Sequence, residues 1–153
     1  MTGTIDRVDS NDEIAPGVDF ALLADAVQVL QGKLYVLGGG WNTLFVAGFP
    51  ARHASLGVGL RVRVPWSWTD RPLKIGIDLQ EEDGGRVLPG APISQVVKVS
   101  RPIGMPDGSD VVLARSFTFN NLVFPKSGSY SFVISLDDDP ADRLRFTVLE
   151  RPA

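Results

Sequence analysis

The chain has 153 residues, with 15 basic against 18 acidic side chains, a net charge of −3 and a pI near 5.0. Nucleic-acid binding needs a concentrated positive field to displace counterions, so this balance argues against it. The absence of cysteine removes disulfides, thiolate metal sites and cysteine nucleophiles together.

Residues 1–17 are polar and acidic and close on Pro16-Gly17, the composition of a loose tail ahead of one domain over 18–150. The opening residues lack the basic-then-apolar order of a secretory signal. No stretch approaches the roughly 18 apolar residues of a membrane span. A soluble cytoplasmic protein is expected.

Apolar residues at Val18, Phe20, Leu22 and Ala24 predict a first strand. Leu22, Leu23, Ala26, Val27 and Leu30 also fit a helical face, so one short helical turn within 21–31 is the alternative. Gly32-Lys33 reads as a turn into Leu34–Leu37, and Gly38-Gly39-Gly40 ends that strand. A phosphate loop there would need Gly-Lys-Ser/Thr and a helix; Trp41-Asn42-Thr43 and a strand follow instead. Trp41 is expected to cover the adjacent end of the core.

Leu44–Val46 is a short strand, followed by a loop through Ala51-Arg52-His53. His53 is the only histidine, and no Gly-x-Ser-x-Gly elbow accompanies it, so serine chemistry is not expected. From Leu56 to Val64 the chain reads Leu-Gly-Val-Gly-Leu-Arg-Val-Arg-Val. Side chains on a strand alternate between faces, so this strand has one dry face and one wet face. The wet face holds Gly57, Gly59, Arg61 and Arg63, with Lys74, Gly76 and Asp78 expected from a neighbouring strand. Glycine weakens a strand unless something uses the space, so the chain's own N-terminal segment or a partner strand or helix is expected to dock there, with a sharply twisted strand as the competing explanation.

Trp66 and Trp68 follow Pro65, two residues apart. In extended chain they would face the same way, forming a sugar-stacking platform or a protein anchor. Strands at Leu73–Leu79, Ile93–Arg101 and Val111–Phe119 come next, the last with Arg115 interrupting its apolar beat. Ser129–Leu136 and Arg143–Leu149 are joined by the acidic turn Asp137-Asp138-Asp139-Pro140, with Asp142 beyond it. These aspartates, with Glu81, Glu82 and Asp83 if both loops lie at one end, are the candidate calcium ligands. Asp70, Asp78 and Glu81 are the carboxylates an enzyme would use, by two of them converging in a pocket.

About eight or nine short strands with regular turn signals describe an antiparallel β-sandwich of Greek-key type, immunoglobulin-like or C2-like, with a closed barrel as competitor. Tyr130, two residues after Gly128 at the start of a well-patterned strand, resembles a tyrosine corner.

The run Phe20–Trp41 with Gly32-Lys33-Leu34, then Phe49-Pro50-Ala51-Arg52-His53 through Arg61, then Phe119 to Asp137, resembles an uncharacterised bacterial domain family. The likeness covers residues 18–149. It implies the sandwich and no established activity. The expected function is a non-enzymatic binding or assembly module with a protein partner or self-association and no cofactor. A small-ligand or carbohydrate module using Trp66 and Trp68 is the alternative.

Overall fold

The computed structural model describes residues 15–153, in which every regular element is β except one 3-10 turn at Trp66–Trp68. The expected tail falls almost wholly outside the described residues. The strands are β1 (Gly17–Leu30), β2 (Lys33–Gly39), β3 (Thr43–Val46), β4 (Ala51–Val64), β5 (Pro72–Glu81), β6 (Ile93–Lys98), β7 (Val111–Phe124), β8 (Gly128–Leu136) and β9 (Asp139–Glu150). They form two sheets, ordered β2-β1-β4-β7 and β3-β9-β8-β5-β6.

This is the expected sandwich, with immunoglobulin-type connectivity. In the notation of that fold, β1, β4 and β7 take the places of strands A, B and E, and β5, β8 and β9 those of C, F and G. Among the described residues no strand holds the place of D beside β7. The sheets are not wholly antiparallel, because β3 runs parallel to β9.

The alternation in β4 does what the pattern requires. Leu56, Val58, Leu60, Val62 and Val64 are fully buried between the sheets, facing Ile75, Ile77, Leu79, Phe132 and Ile134 in the same core. Phe132 sits at its centre, 4.9 Å from Phe119 and 5.6 Å from Phe146 between ring centroids. Trp41 closes one end as expected, edge-on to Phe146 at 6.4 Å, with its indole N–H donating to the Gly38 carbonyl at 2.8 Å.

No helical turn forms within 21–31; β1 runs unbroken to Leu30. The helix-like pattern has another cause. After Ala24, β1 leaves its pairing with β4 and continues with β2 alone. Val27 then lies over the outer face of β4, so Leu23 is buried on the core side while Ala24 and Val27 are buried on the other. A strand covered on both faces loses its period of two.

The loop expected at Ala51–His53 is instead the start of β4. β7 also runs longer than expected. Asn121 adopts φ +57°, and the buried positions switch from Phe117 and Phe119 to Leu122 and Phe124, which hides the alternation.

The tyrosine corner is present. The Tyr130 hydroxyl donates to the Lys126 carbonyl at 2.5 Å while the ring is buried against Phe124 and Phe146. Tyr130→Phe is expected to cost roughly 1–3 kcal/mol, a lost buried hydrogen bond, read by urea denaturation. Burial pushes the phenol pKa up, opposed by the Lys126 N–H and aided by Glu81. A raised folded-state pKa contributes stability below the ordinary tyrosine range that is lost as pH rises through the folded value. Tyr130→Phe should therefore flatten the alkaline fall in stability, and an unchanged alkaline profile would contradict this role.

Candidate functional site

The glycine floor of β4 is already occupied. A Cβ on Gly57 would lie 2.9 Å from the Val27 backbone nitrogen, and one on Gly59 would lie 2.9 Å from Val27 Cγ1 and 3.4 Å from Leu34 Cδ2. Both glycines are buried beneath the β1–β2 hairpin, so they offer no partner-binding surface. The space they leave admits the protein's own strand. Arg61 and Arg63 are also engaged, at 3.0 Å and 3.3 Å from the Asp19 carboxylate.

Lys74 does not extend this face, since β5 belongs to the other sheet. Its ammonium pairs with Asp138 at 2.8 Å, and its N–H donates to Asp137 Oδ1 at 2.9 Å.

Trp66 and Trp68 form no coplanar platform, because the 3-10 turn places residues two apart on different sides. The Arg101 guanidinium lies 4.0 Å from the Trp66 ring centroid and that of Arg71 lies 4.1 Å from Trp68. One face of each ring is therefore taken by a cation. Arg101 also donates to the Thr69 hydroxyl at 2.7 Å, tying the turn to the chain after β6.

The two acidic loops lie at opposite ends of one sheet. Glu81 pairs in register with Tyr130, and Leu136, just before the aspartates, pairs with Ile75. Asp137 and Asp138 occupy positive-φ turn positions and bond to Lys74, while Asp142 Oδ1 accepts the Arg143 N–H at 2.7 Å. Among the described residues no group of three or more histidines or carboxylates is placed to hold a metal ion.

The candidate carboxylates Asp70 and Glu81 do not converge. Asp70 and Glu81 stand at either end of β5, which spans roughly 30 Å at strand rise. Asp78 is committed to Arg86, with contacts of 2.6 Å and 3.0 Å, and also accepts the Leu79 N–H at 3.0 Å. Those hydrogen bonds raise the Arg86 pKa above its ordinary value against the opposing cost of desolvation. His53 is half-buried within β4, opposite Leu122.

Arg63, Trp68, Asp137 and Asp139 do come together, around a hollow of about 650 Å³ at the start of β1. Arg63 Nε is paired with Asp19 and Asp137 Oδ1 accepts the Lys74 N–H, so two of these side chains already have partners within the protein.

One feature carried no signal that the sequence made plain. Among the described residues β7 and β6 are edge strands of the two sheets. Between them lies a cleft of about 510 Å³, with Val87, Leu88 and Ile93 on one wall and Phe119, Leu122 and Val123 on the other. The Asp78–Arg86 pair fixes the first wall, since Arg86 also bonds the Gly90 carbonyl across the β5–β6 loop. Arg115 stands on the same edge, and its break in the β7 alternation was the signal available beforehand.

The sequence profile of a family described as "Family of unknown function (DUF6941)" matches residues 19–149. The chain belongs to the DUF6941 family. The match takes in nearly all of β1 and ends one residue short of the end of β9, so this DUF6941 domain is the sandwich itself. No curated protein matches the chain. Among the described residues of the DUF6941 domain, no helix is long and apolar enough to cross a membrane.

Proposed function

We propose that this domain is a non-enzymatic binding or assembly module of the bacterial cytoplasm that engages another polypeptide through the open side between β7 and β6. The observation that supports this reading is the apolar cleft lying beside a strand edge that is unpaired among the described residues. Ile93 and Val123, both 42% exposed, stand at its rim, and Val96 and Ile103 add apolar surface nearby in sequence. An apolar pocket next to free backbone donors and acceptors is the setting in which extended segments bind by adding a strand.

The test is affinity capture with the full chain, followed by mixing it with each purified captured protein and mapping amide exchange. Slowed exchange along Val111–Phe124 or Ile93–Lys98 is expected. Protection confined to other elements for every captured protein would overturn the reading, as would substrate turnover by the chain alone.

A further inference from the structure

We infer that β7 receives an antiparallel strand from another protein, an apolar segment bearing one carboxylate that pairs with Arg115. This deepens the binding role proposed above and rests on it. The two sheets end in β2, β7, β3 and β6. β3 has four residues, β6 has six and finishes on Lys98, and β2 has seven and finishes on Gly38-Gly39. Short strands and lysine are the usual means of blunting an edge, and glycine weakens a strand.

β7 has 14 residues with no proline, glycine, lysine or acidic side chain. In the immunoglobulin arrangement strand D pairs antiparallel with this edge. Here the connection that would supply it forms no strand. It contains Pro102 and Pro106, with Gly104 and Gly108 at φ +90° and +84°. The backbone groups along the outer side of β7 therefore lack a strand partner among the described residues.

Arg115 selects the chemistry. It stands opposite Leu60, so it lies on the inner face with Phe117 and Phe119. Its Nε is the one buried side-chain nitrogen or oxygen without a hydrogen-bond partner among the described residues. None of the ion pairs among them includes it. A strand laid beside β7 would set its own residue about 5 Å from Arg115 between Cβ atoms, where Asp or Glu supplies the missing acceptor. The positions two and four residues toward that strand's N-terminus then come beside Phe117 and Phe119. The cleft opens there, roughly 13 Å along the strand from Arg115. Read from N to C, the incoming segment is apolar, any residue, apolar, any residue, acidic. A second copy of β7 fits less well, because its only charge is another arginine.

The probe is a short fluorescein-labelled peptide alternating threonine with valine, valine and glutamate in that order, titrated into the full chain by fluorescence anisotropy. Saturable binding with slowed amide exchange confined to β7 is expected. Arg115→Gln should weaken it at least about tenfold, the effect of losing a charge-assisted hydrogen bond. Arg115→Glu should transfer preference to the lysine version of the peptide, with thermal melting confirming that both variants are folded. N-methylation of alternate peptide amides should abolish binding. Equal affinity for glutamate and lysine peptides, protection outside β7, or no binding to the unaltered chain would each overturn strand addition. If those failures occur while a captured protein still protects β6, the binding role stands and only the β7 assignment falls.

Discussion

Gly57→Val is expected to dislodge the β1–β2 hairpin and destabilise the chain by at least about 3 kcal/mol, the upper range for overpacking a close-fitted contact. Gly57→Ala alone should cost about 1–3 kcal/mol, because its Cβ would meet the Val27 backbone nitrogen at 2.9 Å. The backbone cannot rotate away as a side chain can. Gly59 gives a built-in comparison, since its nearest neighbour is a Val27 side-chain carbon, also at 2.9 Å. Val27→Ala should therefore rescue most of the loss from Gly59→Ala and little of that from Gly57→Ala. A double-mutant cycle in urea reads the difference directly. Equal rescue at both sites would show that the hairpin is held less closely than described.

Phe132→Ala is expected to cost about 3–5 kcal/mol, the range for removing a buried aromatic side chain. Phe132 is 0% exposed and is flanked by Phe119 at 4.9 Å and Phe146 at 5.6 Å, one from each sheet. Neither sheet can collapse into the void without breaking its own register, so the cavity should persist. Phe132→Leu keeps most of the volume and should cost less. Val96→Ala, on the exposed face of β6 at 69% accessibility, should stay within about 0.5 kcal/mol and serves as the surface control. A Phe132→Ala loss below about 1 kcal/mol would mean that the two sheets are not packed around this ring. Thermal and urea unfolding monitored by tryptophan fluorescence would measure all of these variants.

The strand pattern was legible because burial on one face writes a period of two into the chain. Leu56–Val64 and Tyr130–Leu136 are the clearest instances, and each became a strand with its alternate residues in the core. The tyrosine corner was legible for a related reason. It depends on residues four apart in the chain, Lys126 and Tyr130, so its geometry is local.

The candidate sites were less legible because their meaning depends on what lies across from them. Gly57 and Gly59 were visible as an oddity, yet the segment filling their space, Val27, lies thirty residues upstream of Gly57. Trp66 and Trp68 were read as extended, and a single 3-10 turn removed their common face. The two acidic turns could act together only at one end of the sandwich, and strand pairing puts them at opposite ends of β5 and β8.

By itself the sequence determined an all-β chain, the well-alternating parts of its strands, the Tyr130 corner and the absence of thiol chemistry. Which edges stay open was decided only by the tertiary structure. Sheet order is set by pairings between residues far apart in the chain, such as Leu60 with Arg115, and no local pattern encodes them. Among the described residues, the lack of a strand beside β7 follows from that order, and so does the cleft at Phe119 and Leu122. The interruption at Arg115 was already present in the sequence. Its position on an unpaired edge gives that interruption its chemical meaning.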